Sequence, residues 1–249
     1  LVTARRYGNT GYVNKDPQLQ RAFETSMRGA RGKRFTVDAF KVSSQGSRKR
    51  QYGSGPRGSG VFAAINQPVQ SGALSTFPQN IGRAVLVLYS DPGMKVYDPY
   101  AGHNSRMELC VANGRHYDGY DISQEFMKFN QKRAEELREF FPSAKINLWL
   151  QDSRYCTHSK SNSADFTLTS PPYYDVEWYG DEPEQLGRSK TYDEFLEGIG
   201  KTLQENFRIL KPGAFAVWFI NDFRRKGIFH LYHMDIARLG QEAGFTVHD

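Results

Sequence analysis

Short apolar segments alternate with longer amphipathic segments from about residue 76 to residue 249. The short segments predict strands, and the amphipathic segments have the spacing of helices. The predicted strands cover residues 94–100, 116–122, 144–150, 165–169 and 214–220, and a sixth opens at 245–247. The predicted helices cover residues 81–89, 105–113, a segment from the N-cap Ser123 to about 140, 192–210 and 230–243. This alternation predicts an α/β fold with a mostly parallel sheet flanked by helices.

Residues 1–60 have a different character, since they hold 13 lysines and arginines against three acidic residues. Their local features are basic clusters at 28–34 and 48–50, a linker-like glycine- and serine-rich stretch at 53–60, a short helix predicted at 17–27 and a strand predicted at 34–42. We therefore divide the chain into a basic extension, 1–75, and an α/β catalytic domain, 76–249. The charge predicts a polyanionic partner, most simply nucleic acid, although a solvated tail explains it equally well.

Several classes of protein are disfavoured by the sequence. The longest apolar strand candidate, 214–220, is too short to span a bilayer, and the first residues lack the apolar stretch of a secretion signal. Cys110 and Cys156 form neither a zinc-ligand set nor a disulfide framework. We expect a protein without a metal site or membrane span, located in the cytoplasm of a prokaryote or of a phage-infected host cell.

The ends of three predicted strands carry the candidate chemistry. Ligands of parallel α/β sheets bind at the carboxyl ends of the strands. The first strand runs into the small, bendable turn 98–102, which begins with Asp98 and would let a ligand approach the backbone. Asp121 ends the second strand, where an acid accepts hydrogen bonds from ribose hydroxyls in nucleotide-like sites. An ordinary polar turn is the alternative interpretation of each feature alone.

The third strand end is Ser170-Pro171-Pro172-Tyr173. Two successive prolines fix the backbone and remove two N–H donors, so nearby carbonyls are free to face a ligand. A serine oxygen, a rigid carbonyl and an aromatic ring suit a planar ring that carries an amino group. The alternative is a proline turn with a packed tyrosine.

These motifs resemble those of the amino-group DNA methyltransferases, which transfer a methyl group from S-adenosylmethionine to cytosine N4 or adenine N6. The matching segments, in chain order, are Phe77-Pro78, Asp98-Pro99-Tyr100-Ala101-Gly102, Gly119-Tyr120-Asp121, Ser170-Pro171-Pro172-Tyr173 and 207–213. The resemblance covers about 77–249 and implies a Rossmann-like S-adenosylmethionine-dependent methyltransferase fold. The antiparallel seventh strand of that fold finds no candidate in the sequence.

The resemblance also implies a cofactor site. Its expected residues are Phe77, Pro78, Asp98, Pro99, Ala101, Gly102, Asn104, Asp121 and Ile122, and Asp152, at the end of the third strand, is added as a neighbour of the adenine or as a plain polar turn. The first loop departs from the family, because His103-Asn104-Ser105-Arg106 replaces a second glycine and threonines. Asn104 would best substitute for that glycine if the backbone needed a positive φ.

The resemblance implies that Ser170 and the Pro171 carbonyl accept the two amino hydrogens, while Tyr173 stacks on a base flipped out of the duplex or already single-stranded. Such a transfer needs no thiolate nucleophile. The serine favours cytosine N4; adenine N6, methylation of RNA or a protein amide, and an inactive nucleic-acid-binding module on the same fold are the alternatives. The expected nucleic-acid contacts are Arg48, Lys49, Arg50, Trp178, Arg224 and Arg225.

Overall fold

The computed structural model describes residues 2–6, 77–177 and 179–248. The helix predicted at 17–27, the strand predicted at 34–42, both basic clusters of the extension and Trp178 lie outside the described residues. The predictions made for them therefore stay predictions.

Strands and helices alternate through the domain, as the sequence predicts. The strands are β1 (Val2–Arg6), β2 (Lys95–Asp98), β3 (His116–Asp121), β4 (Ile146–Leu150), β5 (Ala164–Thr169), β6 (Leu210–Trp218), β7 (Phe223–Arg225), β8 (Ile228–His230) and β9 (Phe245–Val247). The helices are α1 (Gln79–Tyr89), α2 (Ser105–Ala112), α3 (Gln124–Phe140), α4 (Tyr192–Ile209) and α5 (Tyr232–Glu242). Short 3₁₀ turns stand at Ser153–Tyr155 and Leu186–Arg188.

Seven strands form one sheet in the order β4-β3-β2-β5-β6-β1-β9. The pairs from β4 to β6 are parallel, which is the arrangement of the nucleotide-binding Rossmann folds. Helices cover both faces, so the expected α/β architecture with a mostly parallel sheet is confirmed.

The expectation that the antiparallel strand is missing was wrong. Strand β1 lies between β6 and β9 and pairs antiparallel with both, with Ala4 opposite Ala216 on one side and Val247 on the other. The sequence hides this strand because its partners lie more than 200 residues away and its five residues have no clear apolar alternation.

A second difference is the hairpin of β7 and β8, which lies in a stretch where the sequence predicts no strand. Lys226 and Gly227 connect the two strands with φ values of 48° and 81°. Two successive positive φ angles are the geometry of the tight two-residue turns that join antiparallel strands. The sequence does not reveal β7 as a strand because two of its three residues are arginines.

Two apolar clusters pack on opposite faces of the sheet. Alternate residues of β6 divide between them, since Trp218 belongs to the cluster under α4 and α5 whereas Val217 belongs to the cluster under α1 to α3. The Ser123 hydroxyl accepts from the Phe126 N–H, which confirms the predicted N-cap of α3. Among the described residues, no helix combines the length and apolar character that crossing a membrane requires.

Candidate active site

A cavity opens at the carboxyl ends of β2, β3 and β5 and contains about 880 Å³ of space, part of it open to solvent. Of the predicted site residues, the wall includes Phe77, Pro99, Gly102, Asp121, Ile122, Asp152, Ser170, Pro171, Pro172 and Tyr173. Three strand ends that are far apart in the sequence thus share one cavity.

Four predicted cofactor residues do not line this wall: Pro78, Asp98, Ala101 and Asn104. Pro78 precedes α1, and the Ala101 N–H donates to the Tyr120 carbonyl, which fixes the first loop to β3. Asn104 has a helical backbone with φ −54° and stands at the start of α2. The positive φ considered for this position is therefore not required.

Asp98 is fully buried behind the cavity wall. Its carboxylate accepts from the Arg106 Nε at 2.6 Å, the Tyr117 hydroxyl at 2.7 Å and the Thr169 hydroxyl at 2.6 Å. The Tyr100 N–H donates to it as well. The cationic group that Asp98 serves is thus an arginine of the chain itself, and a direct contact with a ligand is not favoured by this geometry.

Asp121 fixes the first loop from the cavity side. Its carboxylate accepts from the Gly102 N–H at 2.7 Å and from the Ser123 N–H at 2.9 Å. Burial raises the pKa of Asp121 to about 6, although these two N–H groups oppose the shift. Gly102 has a φ of 50°, which a glycine adopts without strain. The loop therefore presents its backbone to the cavity beside an acid with free lone pairs.

The hydrogen bonds of the serine–proline motif show which of its polar groups already have a partner. The Ser170 hydroxyl donates to the Phe219 carbonyl at 3.2 Å, and the Pro172 carbonyl accepts from the Tyr232 hydroxyl at 3.2 Å. No donor among the described residues reaches the Pro171 carbonyl. Of the two proline carbonyls, the first is therefore the one left for a ligand.

Tyr173 is held by both its hydroxyl and its ring. The hydroxyl accepts from the Asn221 N–H at 2.9 Å, and the ring packs against Phe223 and Tyr232 with centroid distances of 5.7 and 5.8 Å and interplanar angles of 88° and 63°. These contacts fix the ring at the cavity wall.

The segment after the motif supplies the part of the wall that sequence reasoning left largely unassigned. It contributes Glu177, Tyr179, Glu184, Gln185 and Leu186. The Tyr179 hydroxyl donates to Glu177 at 2.7 Å and Glu182 accepts from the Gln124 N–H at 3.1 Å, so the segment joins the motif to the start of α3. Of the tyrosines that follow the motif, Tyr179 lines the cavity, whereas Tyr174 is buried in the core.

Further wall residues come from the first loop and α2, namely Tyr100, His103, Ser105 and Arg106, and from Phe126, Gln151 and Ser153. His103 and Arg106 fall in the stretch that departs from the family pattern, which is the one sequence signal that could have found them. Burial lowers the pKa of His103, whose ring lies 4.4 Å from that of Phe126.

The two arginines expected to contact nucleic acid lie on the β7–β8 hairpin. Arg225 pairs with Asp175 at 3.0 Å, and the Arg224 guanidinium lies 5.5 Å from the centre of the exposed Phe229 ring. Phe223 at the start of the hairpin touches Tyr173. The hairpin is therefore a neighbour of the cavity. Arg48, Lys49 and Arg50 lie outside the described residues.

Both thiols are unsuited to nucleophilic attack. Cys110 and Cys156 are buried and do not line the cavity. Burial raises the pKa of Cys156 to about 12 and that of Cys110 further, so neither forms a thiolate near neutral pH. Among the described residues, no cluster of three or more metal-ligating side chains occurs.

Comparison with known proteins agrees with this architecture. No family model matches the chain. The (4+2) cyclase SpnF, a solved structure, superimposes with a TM-score of 0.51 at 14% identity, covering 74% of this chain and 63% of its own. The fold is a mostly parallel, Rossmann-like sheet flanked by helices, and S-adenosylmethionine-dependent methyltransferases are among the solved structures that resemble it. An S-adenosylmethionine-dependent methyltransferase from Agrobacterium tumefaciens has a TM-score of 0.45 at 18% identity over 68% of this chain and 50% of its own.

One curated protein adds a local sequence match. The orphan methyltransferase M.BamHII of Bacillus amyloliquefaciens is 34% identical over 85 residues, which are 34% of this chain and 27% of that protein. The chain thus matches about a quarter of its relative's length. S-adenosylmethionine is the expected cofactor, and the acid Asp121 beside the Gly102 backbone offers hydrogen-bonding groups that suit its nucleoside.

Proposed function

We propose that the protein transfers a methyl group from S-adenosylmethionine to an exocyclic amino group of a base in DNA, with cytosine N4 as the favoured atom. The observation that carries this proposal is the state of the motif: the hydrogen of the Ser170 hydroxyl is already donated, no donor among the described residues reaches the Pro171 carbonyl, and both residues line the cavity with Tyr173. Asp121 faces the same cavity from the neighbouring strand end.

The Ser170 hydroxyl acts as an acceptor because its hydrogen is already donated to the Phe219 carbonyl. A hydroxyl has one donor hydrogen and two lone pairs, so the lone pairs remain for the substrate. Together with the Pro171 carbonyl, they would take both hydrogens of an amino group. This pulls the nitrogen lone pair out of conjugation with the ring and turns it towards the methyl group.

Base binding falls to the aromatic residues. The Tyr173 ring is already held in place by its neighbours, so it provides a stacking surface that does not have to be reordered when a base binds. A base inside a duplex cannot reach the cavity, so it must be flipped or single-stranded. Arg224 and Arg225 of the neighbouring β7–β8 hairpin and the basic residues of 1–60 would bind the phosphates.

The cofactor would lie between Asp121 and the motif. Asp121 would accept hydrogen bonds from the ribose hydroxyls, with Ile122, Phe126 and Asp152 around the adenine. When bound, the cofactor supplies an electrophilic methyl group on a sulfonium. The buried, protonated thiols agree with direct transfer to nitrogen, because methylation of cytosine C5 requires a thiolate. The bacterial orphan methyltransferase that the chain partly matches agrees with a role in DNA modification in a prokaryotic or phage-infected cell.

Nucleoside mass spectrometry tests this proposal. DNA and RNA are incubated separately with the protein and with cofactor that carries a deuterated methyl group, so that pre-existing methylation has a different mass. We expect deuterated N4-methylcytosine from DNA. N6-methyladenine would select the adenine alternative, and label only in RNA would overturn the DNA assignment. Tight cofactor binding with no labelled product in either would favour an inactive binding module. A Tyr173→Ala variant is the matched control.

A further inference from the structure

Arg106 is a buried arginine whose side chain borders the candidate cofactor cavity. It is 6% exposed, lies in the first turn of α2 and is part of the cavity wall. The Asp98 carboxylate accepts from its Nε, and the Tyr100 carbonyl accepts from its Nη2. Its guanidinium also lies 5.4 Å from the centre of the Phe77 ring. The side chain is thus held in one place from three sides.

These contacts use only part of its hydrogen-bonding capacity. A guanidinium carries five N–H groups, of which Asp98 and Tyr100 take two. No acceptor among the described residues takes the other hydrogen of Nη2 or either hydrogen of Nη1. Because Arg106 is part of the cavity wall, these donors are open to the cavity. An acceptor on a ligand bound there can pair with them, and hydrogen bonds to a charged group are among the stronger ones.

The charge state of Arg106 and the geometry of its free edge suit an anionic group. Asp98 is fully occupied by four donors, so it shares its charge among Arg106, Tyr117, Thr169 and the Tyr100 N–H. Burial lowers the pKa of the Arg106 guanidinium, but Asp98, Tyr117 and Asp121 together outweigh burial and raise this pKa, so the group stays charged. A second carboxylate on the free edge of the guanidinium would form the bidentate pair that arginine geometry suits.

The position of Arg106 shows which part of a ligand would reach it. The Phe77 ring beside it touches Phe219 at 4.8 Å, and the Phe219 carbonyl receives the Ser170 hydroxyl. On its other side, Arg106 borders the Gly102 loop that Asp121 fixes. A ligand extending from Asp121 towards Ser170 therefore passes the guanidinium between its two ends.

We propose that Arg106 binds the carboxylate in the amino-acid part of S-adenosylmethionine and so selects cofactors that carry it. The inference rests on the proposed function for the identity of the cofactor. It also assigns a role to the residue by which this chain differs from the family's first loop, because Arg106 stands where the family has threonine.

Calorimetric titration with two ligands tests this assignment without any turnover. S-adenosylmethionine and decarboxylated S-adenosylmethionine differ in the one group that Arg106 is proposed to bind. We expect wild-type protein to bind the decarboxylated compound about 10- to 100-fold more weakly, the range of a charge-assisted hydrogen-bonded pair. In Arg106→Met, affinity for S-adenosylmethionine should fall by a similar factor, while affinity for the decarboxylated compound changes little.

Arg106→Met leaves the buried Asp98 carboxylate without its cationic partner. The double variant Arg106→Met/Asp98→Asn and the single variant Asp98→Asn are therefore titrated alongside it. The proposal requires the preference for the carboxylate to disappear in both arginine variants and to persist in Asp98→Asn. Equal losses for both ligands would show that Arg106 only supports the fold and would overturn it, as would a wild type that does not distinguish the ligands. Wild-type protein that binds neither compound would instead refute the proposed function and this inference with it.

Discussion

The Thr169 hydroxyl donates a 2.6 Å hydrogen bond to the buried Asp98 carboxylate. This contact ties the end of β5, which leads into the serine–proline motif, to the end of β2, which leads into the first loop. The relative position of the two motifs is thus set by a contact that lies below the cavity floor.

Thr169→Val should lower the free energy of unfolding by about 2 kcal/mol, because it removes one donor from a buried charged acceptor while preserving side-chain shape. Urea denaturation followed by circular dichroism measures this change. Thr246→Val, which makes the same substitution at an exposed position of β9, is the control and should change stability by less than about 0.5 kcal/mol. Equal effects of the two substitutions would refute the role of the Thr169–Asp98 contact.

Asp121→Ala should weaken binding of S-adenosylmethionine by about 1–3 kcal/mol, because it removes both the expected acceptor for the ribose hydroxyls and the two bonds that hold the first loop. Calorimetry measures the affinity directly. Asp165→Ala provides the control, because it removes an acid at the start of β5, the end of that strand that lies away from the cavity. Unchanged affinity in Asp121→Ala would remove this residue from the site.

Burial of Asp121 also makes the free energy of unfolding depend on pH. Its pKa is raised to about 6 in the folded protein, whereas an unfolded aspartate has a pKa of about 4. The folded state therefore holds the proton more tightly, and this contribution to stability is fully present below about pH 4 and lost as the pH rises through about 6. We expect the stability of wild type relative to Asp121→Asn to fall over that window in urea titrations. Parallel pH profiles would contradict the shift.

Ser170→Ala should slow methyl transfer under single-turnover conditions with saturating DNA and cofactor, and should leave cofactor affinity nearly unchanged. The reason is that its lone pairs act on the amino group as the nitrogen pyramidalises. Ser170→Asp should retain part of the rate, since a carboxylate also accepts the amino hydrogen. A full rate in Ser170→Ala would reduce the motif to a structural turn.

Two substitutions of Tyr173 distinguish its role in base stacking from the role of its hydroxyl in positioning the ring. Tyr173→Ala should lose base stacking worth roughly 1–3 kcal/mol. Tyr173→Phe keeps the ring but leaves the Asn221 N–H without its acceptor, so we expect an intermediate loss. Binding of DNA that carries an abasic site at the target position is the control measurement, because it reports contacts other than stacking. If Tyr173→Ala binds both DNA forms as wild type does, the stacking role is wrong.

Arg224→Gln should weaken DNA binding for all sequences alike and reduce its dependence on salt, as expected when one phosphate contact is lost. Arg238→Gln removes the same charge from an exposed position of α5, where Arg238 pairs with Glu242. Fluorescence anisotropy at several salt concentrations compares the two. A loss confined to one sequence would indicate that Arg224 reads bases, and equal losses would show that only total charge matters.

The parts of the fold that the sequence predicts well are those whose signal is local. The strands from β2 to β6 are short apolar runs bounded by turns, and their ends carry the motifs. Strand β1 was missed because its stability comes from distant partners, and the hairpin because Arg224 and Arg225 look like part of a loop.

The same distinction applies to the site. Asp121 and the Ser170–Tyr173 motif could be placed at the cavity because they follow strands directly. Asp98 also follows a strand, yet its side chain turns away from the cavity towards Arg106. A single arginine inside a helix looks exposed in a sequence, and only the packing around it shows that it is buried at the wall. The segment with Glu177 and Tyr179 has no periodicity at all.

The position of β1 changes what the basic extension is. Because Val2–Arg6 is a strand of the catalytic sheet and Phe77 belongs to its core, the residues between them start and finish on the same domain. They connect two parts of one domain. A truncation of residues 1–75 would thus remove an internal strand of the sheet together with the basic residues, and its loss of DNA binding would report damage to the sheet. Charge in this part of the chain is better altered by substitution, which leaves β1 in the sheet.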